Sequence, residues 1–310
     1  MSESVYEISA YAKINLFLKI LGQLPNGYHK LYTIMQETDL ADGITVVIED
    51  GGSGKITVTD PQGRVLPEDN LCYIAADKFL GYMARKDRRS NRPSISIVLD
   101  KHIPSQSGMG GGSSDAAAVL LVLQQHFNEP FDDGELTALA TSIGADVPFF
   151  LYGGTCLCEG VGEDITVLRE IEGADIVLAK PEQGVSTAEC FRLADKSSPD
   201  EDVIAEYKEF ARSLTEDADG KAGITELIGF LNSRKDCPND LQRPAESLVP
   251  VISDLIGEMR REGAAYAGMT GSGSAVFGIF LDNKSAEAAK DSMSRAHEQD
   301  GTEVFYLRTI

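Results

Sequence analysis

The chain has 310 residues, more than most single cores hold, so two domains are expected, and its 42 % apolar and 25 % charged residues fit a soluble globular enzyme. A formal net charge of −21 argues against broad binding to nucleic acid or to an anionic membrane. No apolar run approaches the ~18 residues of a membrane-spanning helix, and Met1 to Glu7 has neither the basic region nor the apolar core of a secretory signal.

From Tyr11 to Leu21 the chain alternates: Ile14, Leu16, Leu18 and Ile20 share one face of a predicted strand, and Lys13, Asn15, Phe17 and Lys19 share the other. Lys13 and Asn15 therefore lie side by side. Gly22 to His29, with Pro25 and Asn26-Gly27, predicts a loop that ends near Tyr28 and His29. Gly43 to Asp50 and Lys55 to Thr59 predict a hairpin joined by Gly51 to Gly54. Asn70 caps a helix with apolar positions Leu71, Ile74, Ala75, Phe79, Tyr82 and Met83. A strand from Ser94 to Leu99 leads to the glycine-rich stretch Pro104-Ser105-Gln106-Ser107-Gly108-Met109-Gly110-Gly111-Gly112-Ser113-Ser114-Asp115, and a helix from Ala116 to Phe127 follows.

A second helix, Asp133 to Ile143, is stopped by Gly144. Gly154 to Glu159, Ile165 to Leu168 and Asp175 to Lys180 read as strands, and the domain boundary is placed near 165–175. Asp195 to Lys221 is acidic and polar, a solvated helix and loop region with a helical stretch from Val203 to Leu214. Leu248, Val251, Ile252, Leu255 and Met259 make one helix face, which leads to a second glycine-rich loop, Gly268 to Ser274, and a strand, Ala275 to Phe280. That order, helix then loop then strand, is the reverse of a nucleotide-binding βα turn. A helix from Ser285 to His297 and a strand from Val304 to Leu307 complete an alternation that predicts an α+β sandwich. The five cysteines (72, 156, 158, 190 and 237) are an odd number without metal-like clustering, and read as reduced, mostly buried thiols of a cytoplasmic protein.

The stretch from Gly108 to Ser114 carries the first chemical signal. Four glycines within five residues let the backbone approach a ligand closely, and Ser113 or Ser114 is expected to cap the helix. Free N–H groups at a helix start bind anions, phosphate above all. A P-loop would need a lysine after the glycines, and none follows; a dinucleotide fingerprint would need glycine where Ser113 stands. Taken alone, the stretch also fits a flexible turn before a capped helix. In Gly144-Ala145-Asp146-Val147-Pro148, Pro148 disfavours helix at Val147, so the Asp146 carboxylate is expected in a turn. By itself Asp146 fits equally a turn residue satisfied by nearby N–H groups, and Lys13 an exposed strand charge.

Together, Ala12-Lys13-Ile14-Asn15-Leu16, Pro104 to Ser114, and Met269-Thr270-Gly271-Ser272-Gly273-Ser274 resemble the three motifs of the GHMP kinases. Asn26-Gly27-Tyr28-His29, Gly144 to Phe149, Glu159-Gly160-Val161-Gly162-Glu163 and Asn239-Asp240-Leu241 extend the likeness, in collinear order over roughly residues 6–280, to the branch that acts on a cytidylyl sugar alcohol. Two departures stand out: Ser105-Gln106-Ser107, where small or apolar residues are more usual, and the acidic segment 197–221.

The resemblance implies an α+β fold of two domains, a ribosomal-protein-S5-like N-terminal domain (1–168) and a ferredoxin-like α/β sandwich (169–310), with the active site in the cleft between them. It implies a soluble, cytoplasmic kinase, monomer or weak homodimer, whose partners are ATP with Mg²⁺ and the small-molecule alcohol, with neither nucleic acid nor membrane. Lys13 and Asp146 would be catalytic, the carboxylate taking the proton of the attacking hydroxyl and the ammonium offsetting charge. Pro104, Ser107, Gly108, Met109, Gly110, Gly111, Gly112, Ser113 and Ser114 would hold the ATP phosphates, Ser114 would reach Mg²⁺, and Asn70 and Lys101 would border the adenosine. Asn15, Tyr28, His29 and Phe191 would contact the substrate, a pyrimidine stacking between Tyr28 and Phe191 while His29 bonds its edge; Thr270, Gly271, Ser272 and Gly273 would close over it. Alternatives are a kinase of another alcohol such as mevalonate or homoserine, and a non-catalytic nucleotide-binding protein on the same scaffold; the element order around the glycine loops makes an oxidoreductase remote.

Overall fold

The computed structural model describes residues 3–87, 92–171, 173–195, 200–214 and 223–310. The acidic stretch anticipated from Asp195 to Lys221 falls in part on residues 196–199 and 215–222, which lie outside the described residues.

In chain order the elements are β1 (Glu3–Gln23), β2 (His29–Glu49), β3 (Ile56–Thr59), α1 (Leu71–Asp87), β4 (Ser94–Asp100), α2 (Gly111–His126) and α3 (Asp133–Thr141). A 3-10 turn (Phe149–Leu151), β5 (Thr155–Gly160), β6 (Asp164–Val167), β7 (Asp175–Lys180), α4 (Thr187–Ala194), α5 (Glu201–Ser213) and α6 (Ile224–Ser233) follow. The chain ends with α7 (Gln242–Leu248), α8 (Val251–Arg261), β8 (Tyr266–Met269), β9 (Val276–Phe280), α9 (Asn283–Ala296) and β10 (Glu303–Arg308). The chain packs as two compact units: Met1–Ala12, Leu40–Ile103 and Gly110–Tyr152 form one, and Lys13–Asp39, Pro104–Met109 and Gly153–Ile310 form the other.

In the first unit, Gly43–Glu49 of β2 pair antiparallel with β4, so that Ile44 faces Leu99, Val46 faces Ile97 and Ile48 faces Ile95. Three apolar rungs in register make a continuous core face, and α1 and α2 pack against each other with Phe79, Val119 and Leu123 buried. The hairpin expected between 43–50 and 55–59 does not form. β3 instead pairs parallel with β4, Ile56 opposite Ile95. The seven-residue β4 matches β2 rung for rung, which the four-residue β3 cannot, so β4 takes the place beside β2.

In the second unit, Leu31–Gln36 of β2 pair antiparallel with β5, and β5 with β6. A separate antiparallel sheet runs in the order β10-β7-β9-β8. Ile252, Leu255, Ile256 and Met259 of α8 and Ala286, Ala289 and Met293 of α9 join its core with Val177, Ala179, Val276 and Phe280. The helix face read from Leu248 to Met259 is broken in two. α7 ends at Leu248, and Pro250, whose ring removes an N–H, stands at the start of α8. The second glycine-rich loop does not follow a helix directly either: β8 precedes it and pairs with β9, Met269 opposite Val276, so the loop is the turn of a hairpin. All five cysteines are free thiols, and burial pushes the Cys156 thiol up to about 12 and Cys190 to about 11.

One buried cation ties the start of the second unit to a distant segment. Lys19 of β1, 3 % exposed, donates to Asp240 at 2.5 Å, to Asp236 at 2.9 Å and to the Cys237 carbonyl at 3.0 Å. Replacing it with Met takes the counter-ion from Asp240 and leaves Asp236 to Arg234, 3.2 Å away. The expected loss of stability is on the order of 2–4 kcal/mol, below that of a fully buried pair because both carboxylates reach solvent. Equilibrium urea unfolding of Lys19→Met checks this through the shift in midpoint.

Candidate functional site

Lys13 is 2 % exposed, not the exposed strand charge that its isolated position also allows. Its Nζ donates to Asn15 Oδ1 at 2.6 Å and to the Gly108 carbonyl at 2.8 Å, while its backbone N–H donates to the Met109 carbonyl at 3.0 Å. The i, i+2 spacing on one strand face brings Lys13 and Asn15 together. Asn15 in turn donates from Nδ2 to Thr33 Oγ1 at 2.9 Å and from its backbone N–H to Thr270 Oγ1 at 3.0 Å. At 1 % exposure, with its amide engaged at both ends, Asn15 fixes the lysine.

Pro104 to Met109 belong to the same unit as Lys13. Ser107 Oγ donates to the Pro104 carbonyl at 2.7 Å and accepts from the Met109 N–H at 3.3 Å, which closes a tight turn on itself. Gly108 has φ +77°, and a Cβ there would come within 2.3 Å of the Thr270 carbonyl oxygen, so glycine is required on both counts. The Ser274 N–H donates to the Gln106 carbonyl and the Ala275 N–H to that of Ser107. The turn after β8 and the turn before Gly108 thus clasp each other around the lysine's acceptors. Thr270 is wholly buried, and Ser272 Oγ lies 2.8 Å from Thr187 Oγ1 at the start of α4.

Gly110 to Ser114, Asn70, Lys101 and Asp146 belong to the other unit. The helix α2 begins at Gly111, and its N-cap is Gly110 at φ +73° with no side-chain cap. The serine cap is therefore corrected: Ser113 and Ser114 lie inside the first turn, because the run of glycines lets the helix start earlier than side-chain chemistry suggests. Ser114 N–H closes on the Gly110 carbonyl at 2.9 Å, which leaves the amides of Gly111, Gly112 and Ser113 without intrahelical acceptors. Asn70 Oδ1 accepts from the Cys72 N–H at 2.9 Å and caps α1 as expected.

Lys101 stands beside this helix start, where a Cβ on Gly111 would meet its Nζ at 3.3 Å. It donates to Asp42 and, at 2.7 Å, to Asp115. Burial pushes the Asp115 carboxyl up to about 7 against the pull of Lys101, and Asp42 adds to the rise; the two carboxylates hold Lys101 charged despite its own burial. Asp42 and Asp115 were missed in the sequence. Asp42 is 59 positions from Lys101, and Asp115 follows the serines as an ordinary helix residue. Asp146 is half-buried in the turn between α3 and the 3-10 segment, as the Pro148 argument requires.

His29, at the start of β2, stacks on Phe191 of α4, with ring centroids 4.6 Å apart at 21°. Its Nε2 meets Asp195 Oδ1 at 2.5 Å. One face of Phe191 is thus already covered, and Asp195 is a further member of the cluster that sequence reasoning did not find; its position one helical turn beyond Phe191 is the only signal it carries. Tyr28 is 60 % exposed.

Two family models match the chain: GHMP kinases N terminal domain over residues 70–154, and GHMP kinases C terminal over residues 226–299. A 4-diphosphocytidyl-2-C-methyl-D-erythritol kinase of Desulfitobacterium hafniense is 38 % identical over 288 residues, covering 93 % of this chain and 91 % of that protein. A crystal structure of 4-(cytidine 5'-diphospho)-2C-methyl-D-erythritol kinase aligns with TM-score 0.71 and 31 % identity over 98 % of this chain and 99 % of that one. Homoserine kinase from Cytophaga hutchinsonii shares the fold, with TM-score 0.73 and 17 % identity over 97 % of this chain and 94 % of that one.

Proposed function

The chain belongs to the 4-diphosphocytidyl-2-C-methyl-D-erythritol kinases of the GHMP kinase family, and from that membership we propose that Lys13 and Asp146 carry its phosphoryl transfer. It is an ATP-dependent kinase that phosphorylates 4-diphosphocytidyl-2-C-methyl-D-erythritol in the non-mevalonate route to isoprenoid precursors. The acceptor is the 2-hydroxyl. Its oxygen attacks the γ-phosphorus, the bond from that phosphorus to the β–γ bridging oxygen breaks, ADP leaves, and the hydroxyl proton passes to the Asp146 carboxylate. Lys13 offsets the charge that grows on the transferring group. What supports this role is the buried ammonium itself, held in place by Asn15 Oδ1 at 2.6 Å and the Gly108 carbonyl at 2.8 Å.

The uncapped amides at the start of α2 bind ATP phosphate, with Lys101 and Asn70 toward the nucleoside. The Ser114 hydroxyl, with Ser113 beside it in the first turn of α2, is the group that would reach Mg²⁺. There a bound Mg²⁺ would supply charge neutralisation. Toward the pyrimidine, His29 Nε2 is held by Asp195 Oδ1, which leaves Nδ1 to meet the edge of the base. With Nδ1 as an acceptor, the ring would take the exocyclic amino donor of cytosine where uracil offers an acceptor. Although the compact units interleave in sequence, we place the boundary between the two family domains near 168/169, between the two matched ranges, and infer that the enzyme works in the cytoplasm as a monomer or weak homodimer.

The reading is tested by ADP release with the cytidylyl alcohol, its uridylyl analogue, mevalonate and homoserine side by side. Turnover is expected with the first alone. Phe191→Ala is expected to raise the KM for that substrate about tenfold, the worth of one lost aromatic contact, and to leave the KM for ATP unchanged. Equal turnover of mevalonate, or an unchanged substrate KM in Phe191→Ala, contradicts it.

A further inference from the structure

Asn239 is a buried amide, 3 % exposed, with no part in binding or chemistry as described so far. Both N–H groups of its Nδ2 are committed, one to the Met269 carbonyl and one to the Gly271 carbonyl, each at 2.9 Å, and its Oδ1 accepts from the Leu241 N–H at 2.9 Å. The segment that carries it is fastened to β1. Leu18 N–H donates to the Pro238 carbonyl, Asp240 N–H donates to the Leu18 carbonyl, both at 2.9 Å, and Lys19 grips Asp236 and Asp240.

The two carbonyls held by Asn239 lie on either side of Thr270. The Thr270 hydroxyl accepts from the Asn15 N–H at 3.0 Å and lies 3.5 Å from Asn15 Oδ1 and 3.4 Å from the Gly108 carbonyl, both of which accept from the Lys13 ammonium. Resting on the reading of Lys13 as the charge-offsetting group, we propose that Asn239 is a positioning residue for phosphoryl transfer, setting Thr270 and through it the cradle of Lys13. A carboxamide is suited to this work because one planar group donates to two carbonyls at once while its oxygen accepts from the following turn. Asp in its place would turn a carboxylate oxygen toward both carbonyls.

The test is the turnover of Asn239→Asp, Thr270→Val and the double variant with ATP and the cytidylyl alcohol, per folded molecule as judged by thermal unfolding. A shift of the reacting groups by about an ångström costs about a hundredfold, and that loss is expected in kcat of Asn239→Asp, with both KM values within about threefold of the parent. Thr270→Val is expected to fall similarly, and the double variant to fall no more than about threefold below the weaker single, because the two lie on one route. If Asn239→Asp does not fold, Asn239→Ser, which keeps one donor, carries the same comparison. A kcat per folded molecule close to the parent, or losses that multiply in the double variant, overturns the proposal. Lys13→Met in the same series separates the premise: a Lys13→Met enzyme as fast as the parent removes the reading of Lys13, and with it what Asn239 is said to serve.

Discussion

Asp146→Asn is expected to lower kcat by about 10²–10⁴ while nucleotide binding persists, the range over which a positioned general base contributes. The substitution keeps the size of the side chain and its place in the turn between α3 and the 3-10 segment, so the local backbone has no reason to move. What it removes is the capacity to take a proton from the acceptor hydroxyl. The helix start proposed to bind phosphate, Gly111 to Ser113, is untouched, so calorimetric titration with ADP should give the parent affinity. The pair of results, binding kept and turnover lost, is the signature of a group that acts in the transition state alone. Turnover near the parent value would assign Asp146 to the turn and not to the chemistry.

Lys13→Met is expected to lower kcat by about 10²–10³, comparable with the removal of one well-placed charge donor. Met fills a similar volume and leaves the alternating face of β1 intact, but Asn15 Oδ1 and the Gly108 carbonyl each lose a charged donor. A modest loss of stability, on the order of 1–3 kcal/mol, should accompany the kinetic effect because two buried acceptors are stranded. Lys13→Arg is not expected to rescue activity. The site is 2 % exposed and closed by Asn15, Gly108 and Thr270, and a planar guanidinium needs more room than a tetrahedral ammonium. Steady-state kinetics of both variants, with unfolding midpoints measured alongside, checks the two effects separately; an active Lys13→Met enzyme would contradict the assignment.

Much of this was legible before any coordinates. The alternation from Tyr11 to Leu21 put Lys13 and Asn15 on one strand face, and the structure joins them at 2.6 Å. Pro148 placed Asp146 in a turn. Glycine at 108 was readable as a close approach, although the partner, the Thr270 carbonyl, was not, because nothing local announces a contact 162 residues away. The failures have a common cause. The helix after the glycines was started too late, because a serine was sought where a left-handed glycine does the capping. The hairpin through Gly51 to Gly54 was inferred from turn chemistry, yet strand order was decided by which partner matched Ile44, Val46 and Ile48 rung by rung. The strand at Tyr266–Met269 carries Ala267 and Gly268, which have little strand character; its last two residues therefore read as the start of the glycine-rich loop and its first two as no element. Polar partners such as the buried Asp42, Asp115 and Asn239 and the exposed Asp195 have no periodic signature; each is defined by what it meets across the fold.

The most direct measurement is ³¹P and ¹³C NMR of the product formed by the unmodified enzyme from ATP and 4-diphosphocytidyl-2-C-methyl-D-erythritol. A single new phosphomonoester signal, with phosphorus coupling at the tertiary C2 carbon and the cytidine diphosphate resonances intact, is the predicted result. Phosphate on a different hydroxyl, a cleaved diphosphate, or no transfer to this alcohol while another is phosphorylated would contradict it.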